Sequence, residues 1–383
     1  MKSCCGAARK PLKIAIVGCG KIAASHAAQI LSLPGGEIVG VCNRSPDKAR
    51  KFCERFSIKH SFTELAELVD RLRPDVVHIT TPPESHFELA KFCIEQGCHV
   101  YVEKPFTIDS EQALRLIELA NNNRIKMTVG HNNQFSPVAR RMRSVIQAGY
   151  LGGQPVHIES CYGYDLGDSK YAQAFLKDEN HWVRRLPGKL VQNVISHGIA
   201  RIAEFLKSDE PTVIAHGFAS SYMKQVGDAG IVDELRVIIS DEERMTAYFT
   251  FSSQMRPLLH ELRLYGPQNG LILDERQATL TKLRGPKFKS YAEIFIPPVI
   301  LTKQHIGNYA INAGLLLRGR LQPNAGMRHL IGAFYGSILE DQPVPIPYEQ
   351  IARTARIMDA IIGQVGVGDR QGPSLMHTWL PTQ

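Results

Sequence analysis

The sequence predicts an α/β protein: a doubly wound parallel sheet in its N-terminal third, followed by a second α/β unit on a large, mostly antiparallel sheet. Three observations predict it. Short β-branched runs alternate with helical periods as far as residue 129, the pattern of a parallel sheet covered on both faces. A glycine-rich turn joins the first run to the first helix. Beyond His131 the alternation gives way to period-two runs, which read as half-buried strands. A chain of 383 residues also exceeds one average domain of ~150 residues.

The elements follow in order. Residues 13–17 form a strand, and 21–33 a helix with apolar residues at Ile22, Ala23, Ala27, Ile30 and Leu31. A second strand spans 38–42. The helix at 46–56 has Ser45 as N-cap and Pro46 in its first turn, where proline's missing N–H costs nothing. A short helix within 63–72 precedes the strand 76–79, and the helix 84–95 stops at Gly97. The strand 100–102, the helix 111–121 and the strand 126–129 complete the first unit. Helices then fall at 138–148 and 190–205. Alternating runs at 213–222, 234–239, 245–251 and 261–265 read as strands, and Gln268-Asn269-Gly270 as a hairpin turn. Residues 284–323 show no assignable pattern. Helices at 327–339 and 349–365 flank the run Pro343, Pro345, Pro347.

Composition excludes several classes. Hydrophobic residues at 44% and charged residues at 21% match globular usage and disfavour a disordered or collagen-like chain. No apolar run reaches the ~18 residues of a membrane span, and the basic N-terminus lacks a signal peptide's apolar core. We therefore expect a cytoplasmic protein with no membrane partner. The net charge of +8 can steer an anionic cofactor or substrate. The bases are dispersed without aromatic interleaving, so no nucleic-acid partner is expected. The cysteines, Cys4, Cys5, Cys19, Cys42, Cys53, Cys93, Cys98 and Cys161, form no C-x-x-C pair and read as reduced, small hydrophobes. The histidines lack ligand spacing, and no metal is expected.

Gly18-Cys19-Gly20-Lys21-Ile22-Ala23 fits the G-x-G-x-x-[GA] turn. Gly18 permits the bend, Gly20 lets the backbone approach a pyrophosphate, and Ala23 allows close helix–strand packing. The second strand should end in an acid that holds the adenosine ribose, yet it ends in Asn43-Arg44-Ser45. Asn43 can still bond a hydroxyl, and Arg44 with Ser45 can cradle a 2′-phosphate, which favours NADP over NAD. The alternative leaves Arg44 solvated and Ser45 only a cap.

The segment Thr80-Thr81-Pro82-Pro83-Glu84-Ser85-His86, then Glu103-Lys104-Pro105, joins the glycine turn in a distinctive combination. Together they resemble the Gfo/Idh/MocA oxidoreductases, and the likeness continues through Gln134-Phe135-Ser136-Pro137, Gly149-Tyr150-Leu151-Gly152 and Pro345-Ile346-Pro347. The resemblance implies an NAD(P)-binding Rossmann domain over 11–131 and a C-terminal domain over 132–383 for substrate binding and oligomerisation. It implies a dimer or tetramer built through the second sheet, and a hydroxyl or ketone of a sugar, nucleotide-linked sugar or polyol as the reacting group. It makes Lys104 the catalytic lysine, lines the cofactor with Thr81, Pro82, His86 and Glu103, and implies a cis bond before Pro105. The family's Asp-x-x-x-His corresponds to Asn193-Val194-Ile195-Ser196-His197, with amide for carboxylate.

Residue chemistry stands beside the likeness. Positions i and i+4 share a helix face, so Asn193 and His197 can reach one substrate. An imidazole with an ordinary pKa of ~6.5 suits removal of a hydroxyl proton, and an ammonium can stabilise developing alkoxide charge. His197 can alternatively be a packed core residue. Trp182 can stack on a sugar and Arg184 hold an anion, or both can belong to a capping loop. Tyr162 can face the cleft or the core. Besides a dehydrogenase, two further readings stand: a glycoside-cleaving or epimerising enzyme with transient oxidation, and a non-catalytic dinucleotide sensor.

Overall fold

The computed structural model describes residues 10–365 except 167–174, 227, 229, 243–244, 286–287, 290, 320–321 and 323. Cys4 and Cys5 lie outside the described residues. The first sheet contains β1 (Leu12–Val17), β2 (Gly36–Cys42), β3 (Ser61–Phe62), β4 (Val76–Ile79), β5 (His99–Val102) and β6 (Met127–Val129). Their order is β3-β2-β1-β4-β5-β6, and every pairing is parallel. Helices α1 (Lys21–Leu31), α2 (Pro46–Phe56), α3 (Leu65–Leu72), α4 (His86–Glu95) and α5 (Ser110–Asn122) make the crossovers. Both faces of the sheet are therefore covered, and all four residues of β4 are buried, as a doubly covered strand requires. The strand order reverses between β1 and β4, which opens a crevice at their C-terminal ends.

The chain continues through α6 (Pro137–Gln147), β7 (His157–Gly163), α7 (Trp182–Arg185) and α8 (Lys189–Ala203). Then come β8 (Thr212–Phe218), α9 (Ser221–Gln225), β9 (Glu234–Asp241), β10 (Met245–Ser252), β11 (His260–Tyr265), β12 (Asn269–Asp274) and β13 (Thr279–Arg284). The second sheet has the order β13-β12-β11-β7-β10-β9-β8. Of its pairings only β7 with β10 is parallel. The chain ends in α10 (Ala292–Leu317), α11 (Ala325–Leu339) and α12 (Tyr348–Val365). One sheet face buries Met245, Ala247, Phe249 and Phe251 of β10 beneath α8 and α12. Helix α8 presses closely because Gly198 offers no Cβ to the Phe249 ring.

The structure corrects three local readings. The run 213–222 ends as a strand at Phe218, because Ser220 caps α9 by accepting from the Met223 N–H at 3.2 Å. The hairpin turn lies at 266–268; Asn269 and Gly270 are already in β12, with Gly270 opposite Tyr265. Within 284–323 stands the 26-residue helix α10. Its prolines, Pro297 and Pro298, and its reversed polarity hid it from periodicity.

The packing also crosses the division at residue 131. Met327, Leu330, Ile331, Phe334 and Tyr335 of α11 belong to the core of the first sheet. Lys126 fastens the same region, donating to Asp341 Oδ1 at 2.8 Å and to the Gln342 carbonyl at 2.9 Å. The six described cysteines are free thiols. Burial pushes Cys42 up to about 11 and Cys19 up to about 12, so they pack as apolar groups. Among the described residues no helix is long and apolar enough to cross a membrane.

Phe334 tests the return of α11 to the first core. Its ring is fully buried and stands edge-on to Tyr101, with centroids 6.2 Å apart. Phe334→Ala should lower unfolding free energy by ~3–5 kcal/mol, read from the urea midpoint at unchanged slope.

Candidate active site

The glycine turn sits where β1 passes into α1. Gly18 adopts φ +93°, and a Cβ there would stand 3.0 Å from the Thr80 carbonyl oxygen. Gly20 caps α1 without a side chain, and a Cβ on it would meet nothing within 4 Å. That open space lies beside the free N–H groups of a helix N-terminus, whose first turn carries no acid. The combination fits a bound pyrophosphate. Lys21 is exposed there, Ala23 is buried against the sheet, and Ile22 reaches the neighbouring cleft.

The loop after β2 is partly committed to the protein itself. Asn43 Oδ1 accepts from the Cys19 N–H at 3.2 Å, and its amide donates to the Ser45 carbonyl at 3.1 Å. Asn43 thus braces the glycine turn. Ser45 accepts from the Lys48 N–H at 3.4 Å as a helix cap. Arg44 is exposed at the same edge.

Lys104 follows β5, and the Lys104–Pro105 bond is cis, as the resemblance implied. Its ammonium donates to the Asn193 carbonyl at 2.9 Å and lies 3.5 Å from Asn193 Oδ1. Helix α8 therefore meets the first sheet at this lysine, and His197 stands one turn further along it. Burial pulls the Lys104 pKa down, opposed by the charge of Glu103. Burial also holds His197 well below its ordinary value, reinforced by Lys104, His131, Arg201 and His260. His131, pushed down to about 4 by burial, stacks edge-on to His197 at 6.2 Å. The Nδ1 atoms of His131 and His197 and the Ser196 hydroxyl are buried without a hydrogen-bond partner. They are the polar groups a bound molecule can satisfy.

A cleft of about 730 Å³ opens alongside, lined by Ile22, Asn132, Asn133, Tyr162, His260 and Glu275, with Ile311, Asn312 and Leu315 of α10 on its far wall. Tyr162 stacks on His260 with centroids 4.3 Å apart and planes within 8°. Burial raises the Tyr162 phenol to about 12. The cleft size suits a drug-sized or sugar-sized ligand.

Three expected site residues serve other purposes. His86 is fully buried and its ring is held by backbone carbonyls: Nε2 faces the Thr81 carbonyl at 2.8 Å and Nδ1 the Pro105 carbonyl at 2.9 Å. It pins the Thr81-Pro82 turn to the Lys104-Pro105 segment, with burial lowering its pKa against those carbonyls. Arg184 is spent on the Asp228 carboxylate and the Phe175 carbonyl and lies over the Phe175 ring. Trp182 packs on the second core and stacks against His181 at 5.7 Å, away from the lining of the cleft. Thr81 accepts from Ser85 Oγ at 2.8 Å. Sequence reasoning passed over His260 at the start of β11, Glu275 just after β12, and the adjacent Asn132 and Asn133 in the turn at 132–135, three sites that share no motif.

Glu103 lies at the bottom of the site in a fully buried chain of hydrogen bonds. His26 Nε2 meets Glu103 Oε1 at 2.8 Å, His26 Nδ1 meets His78 Nδ1 at 2.7 Å, and His78 Nε2 meets the Tyr335 hydroxyl at 2.8 Å. Burial pushes the Glu103 carboxyl up, but His26 and Lys104 outweigh it and hold it below the ordinary value. The carboxylate is then acceptor-only. With one proton on each ring, His26 donates to Glu103, His78 donates to His26, and Tyr335 donates to His78. Glu103 Oε2 also accepts from the Lys104 N–H at 3.1 Å.

A doubly wound sheet with a glycine turn at its switch point is the arrangement of a dinucleotide-binding fold, and the Lys104–Asn193 contact lies beside it. This N-terminal unit matches, over residues 12–131, the model of the Gfo/Idh/MocA oxidoreductases, the oxidoreductase family with an NAD-binding Rossmann fold. It is similar to 4-carboxy-2-hydroxymuconate-6-semialdehyde dehydrogenase of Sphingobium sp., 28% identical over 151 residues, covering 39% of this chain and 48% of the relative. It is also similar to UDP-N-acetylglucosamine 3-dehydrogenase of Acidithiobacillus ferrooxidans, 27% identical over 149 residues, covering 39% and 44%. The match thus spans about half the length of these curated relatives. The whole fold is similar to the WlbA dehydrogenase of Bordetella pertussis, solved with NADH and UDP-GlcNAcA, at a TM-score of 0.74, 14% identity, and coverage of 94% and 96%.

The depressed His197 pKa gives a titration test. A base with a lowered pKa stays deprotonated at lower pH, so imidazole NMR should find the His197 ring neutral at pH values where an ordinary histidine of ~6.5 is half protonated. Asn193→Asp places a carboxylate one turn away, favours the imidazolium and should raise that pKa by ~1 unit or more.

Proposed function

We propose that the protein is an NAD(P)-dependent dehydrogenase or reductase acting on a hydroxyl or ketone of a sugar, nucleotide-linked sugar or polyol. The observation that carries this reading is the Lys104 ammonium held on Asn193, one helical turn from His197, just beyond the C-terminal end of β5. The nicotinamide, when bound, supplies the hydride acceptor or donor. The glycine turn and the α1 N-terminus hold its pyrophosphate. Lys104 steadies the substrate oxygen and favours its alkoxide character. His197, neutral at working pH, takes the hydroxyl proton at a ring nitrogen during oxidation and returns it during reduction. Tyr162 and His260 form an aromatic wall on which a sugar face can lie. The cleft between 11–131 and 132–383 gives the first unit the cofactor and the second the substrate.

NADP is favoured over NAD. No carboxylate ends β2 to repel a 2′-phosphate, and Arg44 is exposed at that edge. A homodimer or homotetramer through the second sheet is supported by its open face, where the adjacent Ile214, Ile238 and Tyr248 are all exposed.

Screening sugars, nucleotide-linked sugars and polyols for a net change in reduced-nicotinamide absorbance tests the activity. Lys104→Ala and His197→Ala should each lower kcat/KM by ~10²–10⁴-fold and leave dinucleotide affinity within a few-fold. Full activity in both variants overturns the assignment. For the cofactor, a charged hydrogen bond is worth ~1.5–3 kcal/mol. Arg44→Ala should therefore shrink the ratio of NAD to NADP dissociation constants by ~10-fold or more, measured by calorimetry. Equal constants in the unmodified protein remove the NADP preference.

A further inference from the structure

Helix α10 turns three polar side chains, Gln304, Asn308 and Asn312, toward the protein while Lys303 and His305 stay exposed. Gln304 closes a two-point contact with the backbone of Lys282, accepting from N at 2.7 Å and donating to O at 3.0 Å. Asn308 does the same with Leu280 at 3.2 and 3.0 Å. One more turn along, Asn312 donates to the Gln277 carbonyl at 2.9 Å. These residues, spaced i, i+4, i+8, satisfy the open edge of β13 in place of another strand.

The opposite side of α10 is apolar and exposed. Phe295 is 72% exposed, Ile306 63%, Tyr309 75% and Leu317 88%, with Val299 between them. At ~100° per residue these positions form one stripe along the outer face. So long an apolar stripe on a protein surface marks an interaction site.

Charge selects the occupant. The segment 284–320 carries six bases, Arg284, Lys287, Lys289, Lys303, Arg318 and Arg320, against one acid, Glu293. Its net +5 is most of the chain's +8. A second copy of the same helix would bring like charges together. An anionic surface complements them, and aromatic and aliphatic residues framed by Lys and Arg are what an interfacial helix needs. A helix that lies on a bilayer differs physically from one that crosses it, and nothing in α10 requires a span.

We propose that α10 seats the protein on an anionic lipid surface through the stripe Phe295, Val299, Ile306, Tyr309 and Leu317. The inner side of the same helix walls the candidate cleft through Ile311, Asn312 and Leu315, so this seating holds the cleft beside the bilayer.

Flotation of the full chain with vesicles tests this directly and needs no substrate. Vesicles of phosphatidylcholine with phosphatidylglycerol should carry at least ~10-fold more protein than phosphatidylcholine alone. Salt that shortens the Debye length to ~3 Å should abolish most of the difference. The double variant F295E/I306E should lose flotation while keeping the wild-type melting temperature and dinucleotide affinity. Should that variant misfold, K289E/K303E/R318E, all exposed positions, should lose the preference for anionic vesicles. Failure of the wild type to float with anionic vesicles overturns the proposal. So does light scattering that finds a copy-to-copy assembly dissolved by F295E/I306E, which would give the stripe to a second copy.

Discussion

A buried carboxylate organises this molecule. Glu103 ends β5 inside the protein, where an unpaired charge would be prohibitive. It is held by His26 from α1, by the Lys104 backbone, and through His78 by Tyr335 from α11. Those partners come from the glycine-turn helix, two neighbouring strands and the far end of the chain. Gly130 leaves the room: a Cβ there would lie 2.8 Å from Glu103 Oε1. Satisfying one carboxylate thus fixes the relative positions of the glycine turn, the strand that leads into Lys104 and the returning helix. The chain's passage back into the first core has an electrostatic reason as well as an apolar one.

The same arrangement sets the charges of the site. Lys104 sits between the Glu103 carboxylate below and the carbonyl and amide of Asn193 above. Its ammonium remains paired although burial disfavours it. His197 is buried, and Lys104, His131, Arg201 and His260 each further lower its tendency to take a proton. Arg201 is in turn paired with Glu275 at the cleft. The result is a site in which each cation has a carboxylate partner and the His197 imidazole is held toward its neutral form.

Much of this was legible in the sequence because it is local. The β-branched runs, the Gly18 turn, Ser45 as cap and the Glu103-Lys104-Pro105 segment each carry their meaning within a few residues. What escaped is non-local. His260, Glu275 and Asn132 enter the cleft only because β11 pairs with β7 and a turn at 132–135 meets α11; no spacing announces such a meeting. His86 misled for the opposite reason: its neighbours in sequence are site-like, but its ring is consumed by carbonyls. Helix α10 defeated periodicity because it turns Gln304, Asn308 and Asn312 inward and leaves large apolar residues outside, which a search for apolar stripes reads inside out.

Asn193 shows how the site balances these terms. A carboxylate at this buried position would add a charge that Lys104 alone must neutralise while Lys104 is already shared with Glu103. It would also draw His197 toward the imidazolium, raising its basicity but leaving less of the ring neutral and ready to accept a proton. The amide avoids both effects. It offers Lys104 an oxygen at 3.5 Å beside the carbonyl at 2.9 Å, positions the ammonium without neutralising it, and leaves the imidazole uncharged. In the proposed reaction the absence of a carboxylate at position 193 leaves the substrate oxygen to act as a counter-ion of Lys104 as the hydroxyl proton leaves.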